Sequence, residues 1–178
     1  MSLPAWAQVT PGRRAHVERV AAVLAQWADA LRVSEAEKGR WLRAAWLHDA
    51  LRDAPLADSI AHGPAAADRA AAEGERDRGV LDAVRYHTVG YAGWDDVGRM
   101  LYLADFLDPG RDFDPDGRRA LAARVPADRD AVLREVARRR IEWVVSSGWP
   151  LHPATVAFWN DLVGRSDGRT LKDTAAGP

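Results

Sequence analysis

The sequence predicts an all-α, single-domain bundle. Apolar residues recur at three- and four-residue spacing in successive segments. Helix start and stop signals separate these stripes, and no segment of useful length alternates apolar and polar residues with period two. A chain of 178 residues is long enough for one domain with a substantial core.

The first twelve residues read as a lead-in ending at Pro11-Gly12. The first helix is expected from about Arg13 to Arg32, with Val17, Val20, Ala21, Leu24, Trp27, Ala28 and Leu31 on one stripe and His16 beside its start. Ser34 with Glu37 forms a capping-box pattern that opens a second helix, expected to end near Leu51-Arg52. His62-Gly63-Pro64 begins an alanine-rich third helix, since proline is tolerated in a first turn. Val80, Leu81, Val84 and His87 share a face of the fourth, and Gly90 ends it or the turn after it. Asp95 or Asp96 caps the fifth, whose stripe is Val97, Met100, Leu101 and Ala104; Asp108-Pro109-Gly110 stops it. Residues 112–125 read as a loop and a short helix. A long helix follows from about Asp128 to Ser146, with an arginine-rich outer face read as solvated. Pro153 starts the last helix. The domain is expected over 13–163, with 164–178 a flexible tail.

Composition excludes several functions. With 25 basic against 26 acidic residues, overall charge does not mark a nucleic-acid binder. The absence of cysteine excludes disulfides, thiolate ligands and a Cys nucleophile. No signal-peptide pattern and no membrane-length apolar run is present, so a cytoplasmic protein without a membrane partner is expected. The eight tryptophans leave a homodimer interface open, although Trp27 and Trp41 lie on core stripes.

The chemistry centres on His48-Asp49, where an apolar helix face ends in an imidazole and a carboxylate. An ionised carboxylate is costly to bury without a cation or hydrogen bonds. A metal ion satisfies both groups, and so does a core histidine bonded to its neighbour. The pair alone does not decide between them. His16, His48, His62 and His87 all fall at helix ends, and Asp105 lies at the edge of an apolar stripe. Helix ends converge in a bundle, and four histidines with two carboxylates suffice to ligate two ions.

The pattern His16, His48-Asp49, Asp105 resembles the HD superfamily of metal-dependent phosphohydrolases. Three further segments narrow the resemblance: His62-Gly63-Pro64, Tyr86-His87-Thr88-Val89-Gly90, and Ala104-Asp105 through Asp108-Pro109-Gly110-Arg111. With Arg13, His152-Pro153, Thr155 and Asn160, they resemble the bacterial HD-domain symmetrical diadenosine tetraphosphate hydrolases over about residues 13–163. Arg52 stands where that family usually has lysine, Asp108 where it has glutamate, Val89 where threonine is common, and Trp159 where arginine precedes Asn160.

The resemblance implies an HD-type helical bundle and two divalent ions, iron by family habit. The same ligands also suit Mn, Co, Zn and Ni. It implies His16, His48, Asp49, His62, His87 and Asp105 as ligands, with Asp49 bridging. A metal-activated hydroxide is expected to split diadenosine tetraphosphate into two ADP. Arg52 and Arg111 are candidate phosphate contacts, as guanidinium binds phosphate through two N–H groups, unless they pair with Asp53 and Asp108. Thr88 is a candidate donor or a helix cap. The alternatives are an HD phosphohydrolase of nucleoside mono- or diphosphates, and a nucleotide-binding HD module without turnover.

Overall fold

Thr10 starts the first helix. Its hydroxyl accepts the Arg13 N–H at 3.3 Å, and Pro11 takes the first helical position, where no donor is needed. The computed structural model describes residues 1–167, and these form seven helices with no strand. They are α1 (Pro11–Ala30), α2 (Glu35–Leu47), α3 (His62–Ala72), α4 (Arg78–Tyr86), α5 (Asp96–Phe106), α6 (Pro115–Ser146) and α7 (Pro153–Asp167). Ser34, Asp77, Asp95 and Asp114 cap α2, α4, α5 and α6 through side-chain oxygens. No described helix is long and apolar enough to cross a membrane.

Most of the expected stripe residues form the core, but Leu81 of α4 and Val156 of α7 do not; Ala83, Phe158 and Leu162 are buried on those helices instead. Val20, Leu24 and Trp27 of α1, Trp41, Ala44 and Ala45 of α2, and Val80, Ala83 and Val84 of α4 are all buried in one cluster. α5 departs from expectation, because Tyr102 and Leu103 are buried as well as its predicted stripe. A helix apolar nearly all round belongs in the middle, and α5 packs against α1, α2, α4 and α6. α6 bends at Asp128 (φ −150°, ψ 50°), two residues after Pro126, which supplies no N–H to the preceding turn. The short and long helices expected there are the two arms of this kink.

Two boundaries are corrected. α2 stops at Leu47, short of the expected Leu51-Arg52. The chain continues through tight turns in which Ala50, Arg52 and Ala54 bond the carbonyls of Leu47, Asp49 and Leu51. The lead-in holds that turn: Gln8 N–H donates to Ala50 O at 2.7 Å, and Asp53 accepts the Thr10 N–H at 2.7 Å. α7 runs to Asp167, past the expected end near Gly164; residues 168–178 of the expected tail lie outside the described residues.

Two glycines fix close approaches. A Cβ on Gly63 would meet the carbonyl oxygens of Arg85 and Val84 at 2.8 and 2.9 Å, so glycine lets the start of α3 sit against the end of α4. Gly90 has φ +87°, and a side chain there would strike the Phe158 ring. Phe158 joins Trp94 and Tyr102 in edge-on and tilted contacts at 5.2–5.6 Å, docking α7 onto the core.

Candidate metal centre

Each helix end delivers one imidazole with its orientation already fixed. His48 follows the last residue of α2, and its Nδ1 donates to Ala45 O at 2.7 Å. His87 does the same after α4, bonding Val84 O at 2.8 Å. His62 opens α3 and bonds Ser59 O at 2.8 Å. His16, one turn into α1, donates Nδ1–H to Asp108 Oδ2 at 2.7 Å. With Nδ1 bonded in this way on all four rings, each ring in its neutral, metal-ligating form carries its lone pair on Nε2, which faces inward.

These lone pairs meet one another and the carboxylates. His62 Nε2 lies 3.0 Å from His87 Nε2, and both lie close to Asp49 Oδ1, at 3.1 and 3.3 Å. On the other side, His16 Nε2 lies 3.4 Å from His48 Nε2, and each is 3.7 Å from Asp49 Oδ2. Asp105 Oδ1 lies 3.2 Å from His16 Nε2. Acceptors turned toward acceptors at these distances repel unless cations lie among them. The donor set therefore fits divalent metal: His16, His48 and Asp49 form one trio, and Asp49, His62 and His87 another, all buried. Asp49 offers one oxygen to each. All six ligands expected from the sequence come together here, with exposures of 0–6 %.

The charges are tuned as burial and neighbours require. Burial alone would raise the Asp49 carboxyl; the surrounding imidazoles of His48, His62 and His87 overcome it and hold it well below the ordinary carboxylate range. Burial works likewise against Asp105, which Arg140 and His16 outweigh. His48, fully enclosed, is pushed down to about 4 by desolvation. His16 is also depressed by burial, but its bonds to Asp105 and Asp108 lift it to about 8.

Above this floor opens a cavity of about 1030 Å³. Arg52 and Thr88 line it. Arg52 Nη1 donates to Ser59 O at 2.7 Å and does not pair with Asp53; Thr88 Oγ1 lies 3.2 Å from His87 Nε2. Arg111 lines it too; its guanidinium bonds Asp105 at 3.1 Å rather than the Asp108 carboxylate, and only its backbone N–H reaches the Asp108 carbonyl. Asp108 instead orients His16 and clasps Arg19 at 2.6 and 2.9 Å.

Sequence reasoning missed this role of Asp108, and it missed the far wall. The arginine-rich face of α6, expected to be solvated, turns Arg140 onto Asp105 (Nη2 to Oδ2, 2.6 Å) and over the Tyr102 ring at 4.4 Å. Arg13, whose Nη1 donates to Asp49 Oδ2 at 2.8 Å, was noted only as part of a family pattern.

Comparisons with known proteins agree with this geometry. The family model for the HD domain matches residues 13–110. The chain is 27% identical over 107 residues to a symmetrical bis(5'-nucleosyl)-tetraphosphatase of Halalkalibacterium halodurans, covering 60% of this chain and 56% of that one. It is 32% identical over 94 residues to the Bacillus subtilis protein of the same name, covering 52% and 49%. The matches thus span about half the length of these curated relatives. A crystal structure of a "predicted HD superfamily hydrolase involved in NAD metabolism" from Clostridium acetobutylicum superposes with a TM-score of 0.76 at 22% identity, over 89% of this chain and 92% of that one, and shares the fold.

Proposed function

This chain belongs to the HD domain family, and from that premise we propose that it is a metal-dependent hydrolase that cleaves diadenosine tetraphosphate symmetrically to two ADP. Residues 13–163 form the catalytic domain in this reading. The observation that carries it is the divided Asp49, with one oxygen toward His62 and His87 and the other toward His16 and His48. The names of the two curated relatives support the choice of substrate.

The proposed ligands are His16, His48, Asp49, His62, His87 and Asp105, holding two divalent ions, iron by the family resemblance. Such ions acidify a water and stabilise charge on phosphoryl oxygens. The chain does the rest. Hydrogen bonds to carbonyls and to Asp108 fix the imidazoles, so the site is formed before substrate arrives. Arg111 and Arg140, already held against Asp105, offer their remaining N–H groups to the cavity and neutralise the departing ADP. Arg52 and Thr88 border the same cavity beside His62 and His87 and donate to phosphate oxygens.

The test is product analysis. Protein loaded anaerobically with ferrous iron should convert diadenosine tetraphosphate to ADP alone. ATP with AMP would overturn symmetrical cleavage. Turnover of nucleoside mono- or diphosphates, with the dinucleotide untouched, would overturn the substrate.

A further inference from the structure

Among the described residues, Arg118 is a buried cation with no carboxylate of its own. It is 7 % exposed, and it lines the cavity above the metal centre. Its Nε donates to Phe113 O at 2.6 Å, while Nη1 is buried without a hydrogen-bond partner among the described residues. The guanidinium lies 4.4 Å from the Phe106 ring centre and 5.4 Å from that of Phe113. Cation–π contact offsets part of the cost of desolvating a charge, yet it leaves N–H donors unused.

Its neighbours make the imbalance larger. Burial, followed by the positive charges of Arg111 and Arg140, lowers the Arg118 pKa. Those two arginines share Asp105, so three guanidiniums stand over one carboxylate. Around the whole cavity seven arginines face four carboxylates, before any metal adds its charge. A fold does not bury an uncompensated guanidinium without cost, and the group that relieves it must be an anion entering the cavity.

We propose that Arg118, with Arg111 and Arg140, forms a subsite for the phosphates of the chain that do not react, so that the enzyme selects long polyphosphates over single phosphoryl groups. Planar guanidinium forks match phosphoryl oxygens, and Arg118 keeps a donor free for one. The exposed Phe113 ring covers one face of the guanidinium from the loop before α6. This inference rests on the polyphosphate reading above.

The experiment is calorimetric titration of metal-loaded enzyme with inorganic tripolyphosphate and, separately, with orthophosphate. Arg118→Met keeps a long side chain between the two rings and removes the charge. It should weaken tripolyphosphate about tenfold or more and orthophosphate hardly at all. It should also melt at or above the wild-type temperature, and tripolyphosphate should raise that temperature less than it does in wild type. Arg118→Lys, which keeps charge without the fork, should fall between the two and serves if the methionine variant does not fold. Unchanged tripolyphosphate affinity would overturn the subsite. So would equal loss of both anions, which would assign Arg118 to the metal centre. Tripolyphosphate binding that depends on Arg118, without ADP from diadenosine tetraphosphate, would leave the subsite standing and remove the cleavage reading.

Discussion

The floor of the site and its far wall are built on opposite rules. The floor is acceptor-only: four imidazole Nε2 atoms and two carboxylates, all at or near helix ends and tethered to backbone carbonyls or to Asp108. The wall is donor-rich, with the guanidiniums of α6 and the loop before it outnumbering the carboxylates of Asp112 and Glu142. Its outer members are neutralised: Arg138 and Arg139 both hold Glu135, and Arg139 also holds Asp114. Its inner members share Asp105 or, among the described residues, have no carboxylate partner. An acceptor floor suits cations and a donor wall suits anions. The contrast supports the proposed reading, in which an anion lies over the metal centre, and it makes Asp105 the residue where the two halves meet.

The largest effects should come from the floor. Asp49→Ala removes the group common to both trios and should abolish binding of both ions, with turnover falling more than about a hundredfold, beyond what loss of an outer partner costs. His87→Ala should remove one ion and most turnover, read as metal stoichiometry per chain. Retention of two ions in His87→Ala would break the division of the floor into two trios.

This floor was legible in the sequence, and the wall was not, for a physical reason. A histidine that ends an apolar stripe is anomalous within its own helix, so His48 and His87 stand out locally. Arg140 looks like any other charge on a polar helix face. Only the docking of α6 against α5, which no local pattern encodes, brings it over Tyr102 and onto Asp105. Asp108 was hidden by distance, since His16 is 92 positions away. The helical stripes were readable because burial repeats every three or four residues. The end of α2 was not, because the Gln8 and Thr10 backbone holds the turn after it from across the fold.

Arg140→Ala probes the seam between floor and wall. If Arg140 serves the wall, KM for the dinucleotide should rise about tenfold, a typical loss for one charge-assisted hydrogen bond, with metal content unchanged. Loss of an ion would instead show that its duty is to hold Asp105 for the floor. Asp108→Asn probes the floor from behind. It keeps an acceptor for His16 but removes the charge that orients it, so metal affinity should weaken toward the low end of the ten- to hundredfold range, about tenfold. Unaltered affinity would mean that packing alone sets the His16 ring.

The smallest effect should come from the neutralised outer wall. Hydrogen bonds from Arg138 and then Arg139 bring the Glu135 carboxyl down from its ordinary 4.5 to about 2. A carboxyl depressed in the folded state contributes stability that is present above its unfolded pKa and is lost as pH falls through the folded one. The Glu135 contribution should therefore be complete above about pH 4.5 and gone near pH 2. Arg138 is half exposed, so solvent screening keeps the contribution of the pair small. Glu135→Gln should lower the melting temperature by about one to three degrees at pH 7, and the gap to wild type should close between pH 4.5 and 2. A gap that persisted at pH 2 would show that Glu135 acts through packing. A large gap at pH 7 would place the outer arginines with the inner ones, and the division of the wall would be lost.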